Sequence, residues 1–202
     1  MTVTAMSDRD LKIWLCARPY LDVRNNDEHT AHAYWLARTL LDLHPAADPD
    51  IVLPAILMHD VGWKSVPDDE RMLAITPGVK RPDIIRKHEI EGAAIARREL
   101  AGSGLPIEAI AAIIDGHDSR PEAISLEDSL VKDADKLWRF TPHGLQTING
   151  WFGFSPAFII EKMWLGAHGG RLLTEAAQTM AKGFIAASEA RDAVPGLMQK
   201  DH

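Results

Sequence analysis

Four histidines recur along this chain of 202 residues at intervals of 29 or 30 positions: His29, His59, His88 and His117. The helical periodicity around them predicts that each lies near one end of a different helix, at similar heights in an up-and-down arrangement. A lone histidine on an apolar stripe usually belongs to the core. Four that meet in one place offer the imidazole nitrogens that divalent transition metals bind, so the spacing predicts a shared metal-binding pocket.

Asp60 follows His59 directly, at the end of the apolar stretch 55–62 (AILMHDVG). Both side chains must therefore lie beside the core, where an unpaired charge is costly. A bound cation would offset that cost. The alternative is a helix end at which Asp60 only caps the chain and His59 is solvated, and the pair taken alone does not decide between the two.

A later acidic pair, Asp133 and Asp135, lies in the stretch 130–137 (LVKDADKL). Two carboxylates two positions apart diverge on a helix, so only one is expected to reach a centre shared with the histidines. Asp135 shares a stripe with Val131 and Trp138, which favours it over Asp133. Mixed imidazole and carboxylate ligands suit Fe, Mn, Co, Ni or Zn, and the lack of clustered cysteines excludes a structural zinc knuckle.

Helical patterns dominate the elements that must position these residues, and alternating β-branched runs are missing. Short connectors between successive helices predict an all-α helical bundle, with residues 1–202 forming a single domain. Ser7 and Ser125 are predicted N-caps, whereas residues 65–82 and 141–156 are predicted to be a loop and an irregular segment. The predicted helices span approximately residues 8–23, 27–43, 50–61, 83–100, 106–116, 125–140, 157–166 and 170–193.

The composition is that of an ordinary globular protein, with 46% hydrophobic and 25% charged residues. A net charge of −7 gives no general attraction for a nucleic-acid backbone, so no nucleic acid polymer is expected as a partner. The lone Cys16 cannot form an internal disulfide. Charged side chains interrupt residues 1–20, and no apolar run reaches the length of a membrane span. A cytoplasmic protein without a membrane partner is therefore expected.

The ordered set His, His-Asp, His, His, Asp resembles the HD-domain superfamily of metal-dependent phosphohydrolases. The stretch 55–62 is similar to the central LLHDIG element of that family, and 130–137 is similar to its closing ADKL element. Between them, 87–93 (KHEIEGA) and 113–117 (IIDGH) look like the two extra histidine segments of subgroups that can hold two metals. The resemblance covers an HD core at about residues 25–140 and leaves about 141–202 as a C-terminal helical extension.

The resemblance implies one or two divalent transition metal ions as cofactors. The residues that match the ligands of the first metal are His29, His59, Asp60 and Asp135. His88 and His117 match those of the second metal, with Asp60 as the bridge. His32, one turn after His29, is an alternative first ligand, although the small and apolar residues that follow at helical spacing favour His29.

The activity implied is hydrolysis of a small phosphorylated molecule by metal-activated water, with Asp60 positioning the nucleophile. The candidates to hold the phosphate oxygens are Lys64, Arg120 and Lys136. Solvated surface charge is the alternative interpretation for each of them. Lys64 is the catalytic candidate because Trp63 stands where many family members have lysine. Asp118, next to His117, is a candidate to orient a ligand imidazole.

Two other functions stay open. Some HD proteins resemble this ligand set and use two iron ions to activate oxygen, on a small polar or phosphonate substrate. Such members add a Tyr or Glu near the site, for which the candidates are Tyr20, Glu28 and Tyr34. A non-catalytic nucleotide-binding module is the other alternative, and the intact ligand set counts against it. The unmatched C-terminal helices offer a surface for a homo-oligomer.

Overall fold

The chain folds into helices alone wherever its structure is described. A computed structural model describes residues 5–76, 78–79, 81–165 and 172–198, and these contain no strand, as the all-α prediction requires. Their helices are α1 Asp8–Ala17, α2 Asn26–Leu43, α3 Pro49–Met58, α4 Asp68–Ile75, α5 Pro82–Glu99, α6 Ile107–Ile114, α7 Leu126–Leu137, α8 Pro142–Phe152, α9 Pro156–Leu165 and α10 Glu175–Met198. Short 3₁₀ turns cover Arg18–Tyr20, Val61–Ser65 and Trp138–Phe140.

Side-chain caps set the starts of several helices. The hydroxyl of Ser7 accepts a hydrogen bond from the backbone N–H of Asp10, and that of Ser125 accepts one from Asp128. Both residues are therefore N-caps, as predicted, because each satisfies a backbone donor that has no partner within its helix. The first helix is shorter than predicted, since α1 ends at Ala17 and continues as the 3₁₀ turn Arg18–Tyr20.

Two segments predicted to be irregular are helical. The predicted loop 65–82 contains α4, which begins after Pro67 with three acidic residues in its first turn, where the helix dipole favours negative charge. The predicted irregular segment 141–156 contains α8. The Thr141 hydroxyl accepts from the N–H of Gly144, and the helix ends at Gly153 with a φ of +69°. Both predictions of irregular structure were wrong.

The buried helix α3 carries the His-Asp pair into the interior. Every residue from Val52 to Met58 is buried, and α3 packs against α1, α2, α6 and α7. The 3₁₀ turn after α3 then presses against α5. A Cβ placed on Gly62 would lie 1.8 Å from the carbonyl oxygen of His88, so only glycine allows the turn to approach this closely. Within the described residues, no helix is both long and apolar enough to cross a membrane.

Candidate metal centre

The first pair of histidines meets at the ends of neighbouring helices. His29 of α2 and His59, which directly follows α3, bring their Nε2 atoms to 3.0 Å from one another. His59 donates from Nδ1 to the carbonyl of Ile56 at 2.7 Å. That hydrogen bond fixes the imidazole with Nε2 as the free, electron-donating nitrogen, which is the usual arrangement of a histidine ligand.

The second pair repeats this arrangement. His88 of α5 and His117, which follows α6, have their Nε2 atoms 3.5 Å apart. His117 donates from Nδ1 to the carbonyl of Ile114 at 2.9 Å. All four imidazoles are buried, and the rings of His59 and His117 lie edge to face with centroids 5.1 Å apart. The two pairs therefore belong to one continuous cluster.

Asp60 lies between the two pairs. Its Oδ2 is 3.6 Å from Nε2 of His29 and 3.6 Å from Nε2 of His59. Its Oδ1 is 3.6 Å from Nε2 of His117 and 4.0 Å from Nε2 of His88. Each oxygen of one carboxylate thus faces a different histidine pair.

The geometry decides between two pairs of candidate ligands that the sequence left open, Asp133 or Asp135 and His29 or His32. Oδ1 of Asp135 lies 3.3 Å from Nε2 of His29, whereas Asp133 accepts hydrogen bonds from the backbone N–H groups of Leu173 and Thr174 and so holds the segment before α10. His32 is exposed and stacks on His143 with centroids 4.1 Å apart. His29 and Asp135 are therefore the members of each pair of candidates that join the cluster.

Asp118 joins the cluster on the side of the second pair. Its Oδ2 lies 3.6 Å from Nε2 of His88 and 3.7 Å from Nε2 of His117. A residue that orients a ligand imidazole contacts the nitrogen remote from the metal, and in His117 the carbonyl of Ile114 occupies that nitrogen. Asp118 is therefore a candidate ligand instead of the orienting partner predicted from its position next to His117.

The donor set fits divalent cations. Ligands at about 2.0–2.2 Å from one ion lie roughly 3.0–3.4 Å apart around it, which is close to the spacing seen here. Within the part of the chain that the structure describes, three overlapping groups of donor atoms could each hold an ion, with all atoms of a group within 4.8 Å of one another: His29, His59 and Asp135; His59, Asp60 and His117; His88, His117 and Asp118. Carboxylates buried this closely require compensating positive charge, which metal ions would supply.

The electrostatics of the cluster favour the metal-binding forms of Asp60 and His88, whereas His117 holds a proton that a metal ion would have to displace. Burial raises the pKa of the Asp60 carboxyl, but the neighbouring His59 and His117 outweigh it and hold this pKa well below its usual range. Burial lowers the pKa of His88 to about 4, so this imidazole is neutral at pH 7. Burial also lowers the pKa of His117, but the carboxylates of Asp118 and Asp60 raise it to about 9. A cation bound between these carboxylates would therefore replace a proton.

Comparison with known protein families decides the identity of the fold. The sequence model of the HD domain matches residues 26–139, which is more than half of the chain and contains all of these histidines and aspartates. The chain belongs to the HD domain family. No curated protein and no solved structure matches it. HD domains are mostly metal-dependent hydrolases, so the family and the donor set agree on a metal-binding site.

Two buried charges hold the turn of the HD domain that carries His117 and Asp118. Glu89 of α5 accepts hydrogen bonds from the backbone N–H groups of Asp118 and Ser119 at 2.9 and 2.7 Å. Lys132 of α7 donates from Nζ to the carbonyl oxygens of Gly116, His117 and Arg120 at 2.7, 3.0 and 2.8 Å. The turn is therefore fixed from both sides by elements that also carry His88 and Asp135.

The predicted phosphate-binding residues of the HD domain have different surroundings. Lys64 is 43% exposed and donates to Asp22 at 2.5 Å. Arg120 donates to Asp128 at 2.8 Å and to the carbonyls of Ala112 and Asp115, so its guanidinium is used within the fold. Neither contact joins these side chains to the histidine cluster.

Lys136 differs from the other two because the charges of acidic residues of the centre act on its ammonium. Burial lowers its pKa, and the charges of Asp135 and Asp118 oppose that change. Its Nζ donates to the carbonyl of Lys132 at 3.3 Å. One helical turn after Asp135, Arg139 brings Nη2 to 3.7 Å from Oδ2 of that carboxylate. Arg139 was missed from the sequence, although its spacing of four residues from Asp135 was a usable signal.

Proposed function

We propose that this HD domain is a metal-dependent phosphohydrolase that acts on a small phosphorylated molecule and holds two divalent ions. The observation that carries the proposal is the position of Asp60, whose two oxygens face two separate histidine pairs. A carboxylate in that position can bind two ions at once, which is the arrangement used for the in-line displacement of phosphate esters.

Each ion would have its own set of ligands besides the shared Asp60. His29, His59 and Asp135 would hold one, and His88, His117 and Asp118 the other. When bound, such ions lower the pKa of a coordinated water and neutralise the charge that develops on the phosphate oxygens. Lys136 and Arg139 add positive charge beside Asp135, where they would attract an anionic substrate.

The surroundings of the tyrosines favour hydrolysis over oxygen chemistry. The hydroxyl of Tyr20 donates to Glu99 at 2.7 Å, and that of Tyr34 donates to Asp10 at 2.8 Å. Glu28 is exposed and pairs with His143 at 3.0 Å. These are the three candidates that the sequence offers for closing over an iron pair, and each is bonded to a residue outside the donor cluster. The full donor set in turn argues against a non-catalytic module.

The test is a metal and substrate survey of the whole protein. Elemental analysis of protein purified without oxygen gives the identity and number of the ions, and a panel of nucleotides and other phosphoesters is then assayed with that metal. We expect about two ions per chain and phosphate release that a chelator abolishes. A mixed-valent di-iron signal in Mössbauer spectra, together with turnover that requires oxygen, would replace the hydrolase by an oxygenase.

A further inference from the structure

Arg24 has an uncommon backbone conformation directly before α2. It has a φ of +55° and the following Asn25 a φ of +58°, and both values lie in the left-handed region that residues other than glycine rarely adopt. The reversal allows the chain to pass from the 3₁₀ turn Arg18–Tyr20 into α2 while the Arg24 side chain stays inside the protein. Its Nε and Nη1 atoms are buried.

The Arg24 guanidinium lacks the partners that a buried cation needs. Among the described residues, neither Nε nor Nη1 has a hydrogen-bond partner. An arginine stays protonated at any physiological pH, so it cannot relieve the cost of burial by losing its charge. Asp60 and Asp118 attract it across a longer distance without forming an ion pair. The donors are therefore available to an acceptor that the chain itself does not provide.

Trp63 ties Arg24 to the candidate metal centre. The guanidinium carbon of Arg24 lies 4.1 Å from the centre of the Trp63 ring, and the imidazole of His88 stacks on the same ring at 4.0 Å. Two groups this close to one ring must lie on its opposite faces. The indole Nε1 of Trp63 also donates to Oδ1 of Asp60 at 3.0 Å. Arg24 therefore lies one aromatic ring away from His88, on an indole ring that is hydrogen-bonded to the carboxylate between the two histidine pairs.

A second cation acts on the same region. The positive charge of Arg139 opposes that of Arg24, and Arg139 also acts on the Asp118 and Asp135 carboxyls. Two guanidinium groups that repel one another in a buried region are stable together only when negative charge lies near both. A phosphate, with several acceptor oxygens, matches this group of donors.

We propose that Arg24 is a substrate-binding residue that donates from its guanidinium to the phosphate oxygens of the bound substrate. The proposal rests on the proposed function, since it names a further contact of the same phosphoester. It assigns the main phosphate contact of the chain to Arg24 instead of Lys64 and Arg120, whose side chains are bonded to Asp22 and Asp128.

The experiment compares Arg24→Gln and Arg24→Lys with a matched control, Arg97→Gln. Arg97 is an exposed arginine that pairs with Glu108, away from the histidine cluster. Binding of inorganic phosphate to the metal-loaded whole chain is measured by calorimetry, and metal content is measured for each variant. We expect phosphate to bind about 10–100-fold more weakly to Arg24→Gln, the range for the loss of a charge-assisted contact. Arg24→Lys should recover part of the affinity, and Arg97→Gln should match the wild type.

The kinetic readout separates binding from structural damage. With a phosphoester that the wild type hydrolyses, Arg24→Gln should raise KM by a similar factor while its metal content stays at two ions. Unchanged phosphate affinity in folded, metal-loaded Arg24→Gln and Arg24→Lys would overturn the proposal, as would a wild type that binds no phosphate. If phosphate binding depends on Arg24 but the protein hydrolyses no phosphoester, the Arg24 site is supported and the proposed hydrolase function is wrong.

Discussion

The carboxylate of Asp60 presents its two oxygens to different pairs of histidines. One oxygen faces His29 and His59, and the other faces His88 and His117. Its backbone has left the helical region, with a φ of −100° and a ψ of 3°, immediately after the last turn of α3. Two adjacent residues, His59 and Asp60, can therefore both point into the centre, which a continuous helix would not allow because neighbouring side chains on a helix diverge.

Replacement of Asp60 tests whether it bridges two ions. We expect Asp60→Ala to lose both ions and to reduce activity by more than about 100-fold, because the shared ligand stabilises both sites and ligands matter at least as much as their supporting residues. Lys64→Ala is the control and should keep the metal, since Lys64 bonds to Asp22 at the surface. Elemental analysis checks both variants. Full metal occupancy in Asp60→Ala would exclude Asp60 as a ligand.

Asp118 can be tested separately from the first metal site. Asp118→Asn should lower the affinity of the protein for one of the two ions by at least about 10-fold. The ion held by His29 and His59 should stay bound. Asp115→Asn is a matched control three positions earlier, because Asp115 pairs with Arg86 and is 43% exposed. Titration of metal into chelated protein gives both affinities. If the two variants bind both ions equally well, Asp118 is no ligand.

At the scale of elements, the candidate ligands come from two kinds of position. His29, His88 and Asp135 lie within helices, whereas His59 and His117 follow the ends of α3 and α6. Residues in a helix are held by its backbone hydrogen bonds, but residues beyond its end need partners of their own. For the turn after α6, those partners are Glu89 and Lys132.

Lys132→Met tests how strongly this turn depends on α7. The substitution keeps most of the side-chain volume but removes a buried ammonium that donates to three carbonyl oxygens. We expect a loss of roughly 2–4 kcal/mol in the free energy of unfolding, because the hydrogen bonds are charge-assisted and buried carbonyls lose a donor. Urea denaturation measures the change. Lys12→Met, at an exposed position of α1, should change stability little.

The sequence predicted the helices that carry ligands better than those that do not. The sequence predicts the helices that carry candidate ligands from apolar residues at helical spacing. The segments that contain α4 and α8 hold several proline and glycine residues, which favour a loop in a reading of the sequence alone. Pro142 in fact lies in the first turn of α8 and Gly153 lies just after its end, where these residues favour a helix. Cap signals at both ends of a segment therefore outweigh its overall content of Pro and Gly.

At the candidate metal centre, the spacing of residues in the sequence predicts some of the clustered side chains, and only the packing of the folded chain brings in the others. The order of histidines and aspartates pointed to the donors that cluster, because each lies in a helix or within three residues of the end of one. Asp118 lies four residues beyond α6, and Arg24 lies before α2, so helical periodicity does not indicate which way either side chain points. Arg24 reaches the region of the centre only because two consecutive residues adopt left-handed backbone conformations, and nothing in the local sequence requires that.

At the scale of the whole molecule, the charge distribution is opposite to what the centre needs for an anionic substrate. The chain has a net charge of −7, and the centre adds buried carboxylates. Arg24, Lys136 and Arg139 counter this locally, together with the ions that the donors would hold. Substrate attraction should therefore depend on the metal, since the field of the protein as a whole repels an anion.

A bound metal would also link parts of the chain that are distant in sequence, so its removal should weaken the fold. The candidate ligands lie in or shortly after five helices, from His29 of α2 to Asp135 of α7. An ion that binds only the folded chain stabilises it by mass action. At a free concentration 100-fold above the dissociation constant, the gain is about 2.7 kcal/mol. For a chain of this length that corresponds to a rise in Tm of roughly 5–11 °C.

Thermal melts with metal and with a chelator measure the difference, and Asp60→Ala should melt at the same temperature in both. If the chelator does not change the Tm of the wild type, the imidazoles and carboxylates pack together without binding an ion.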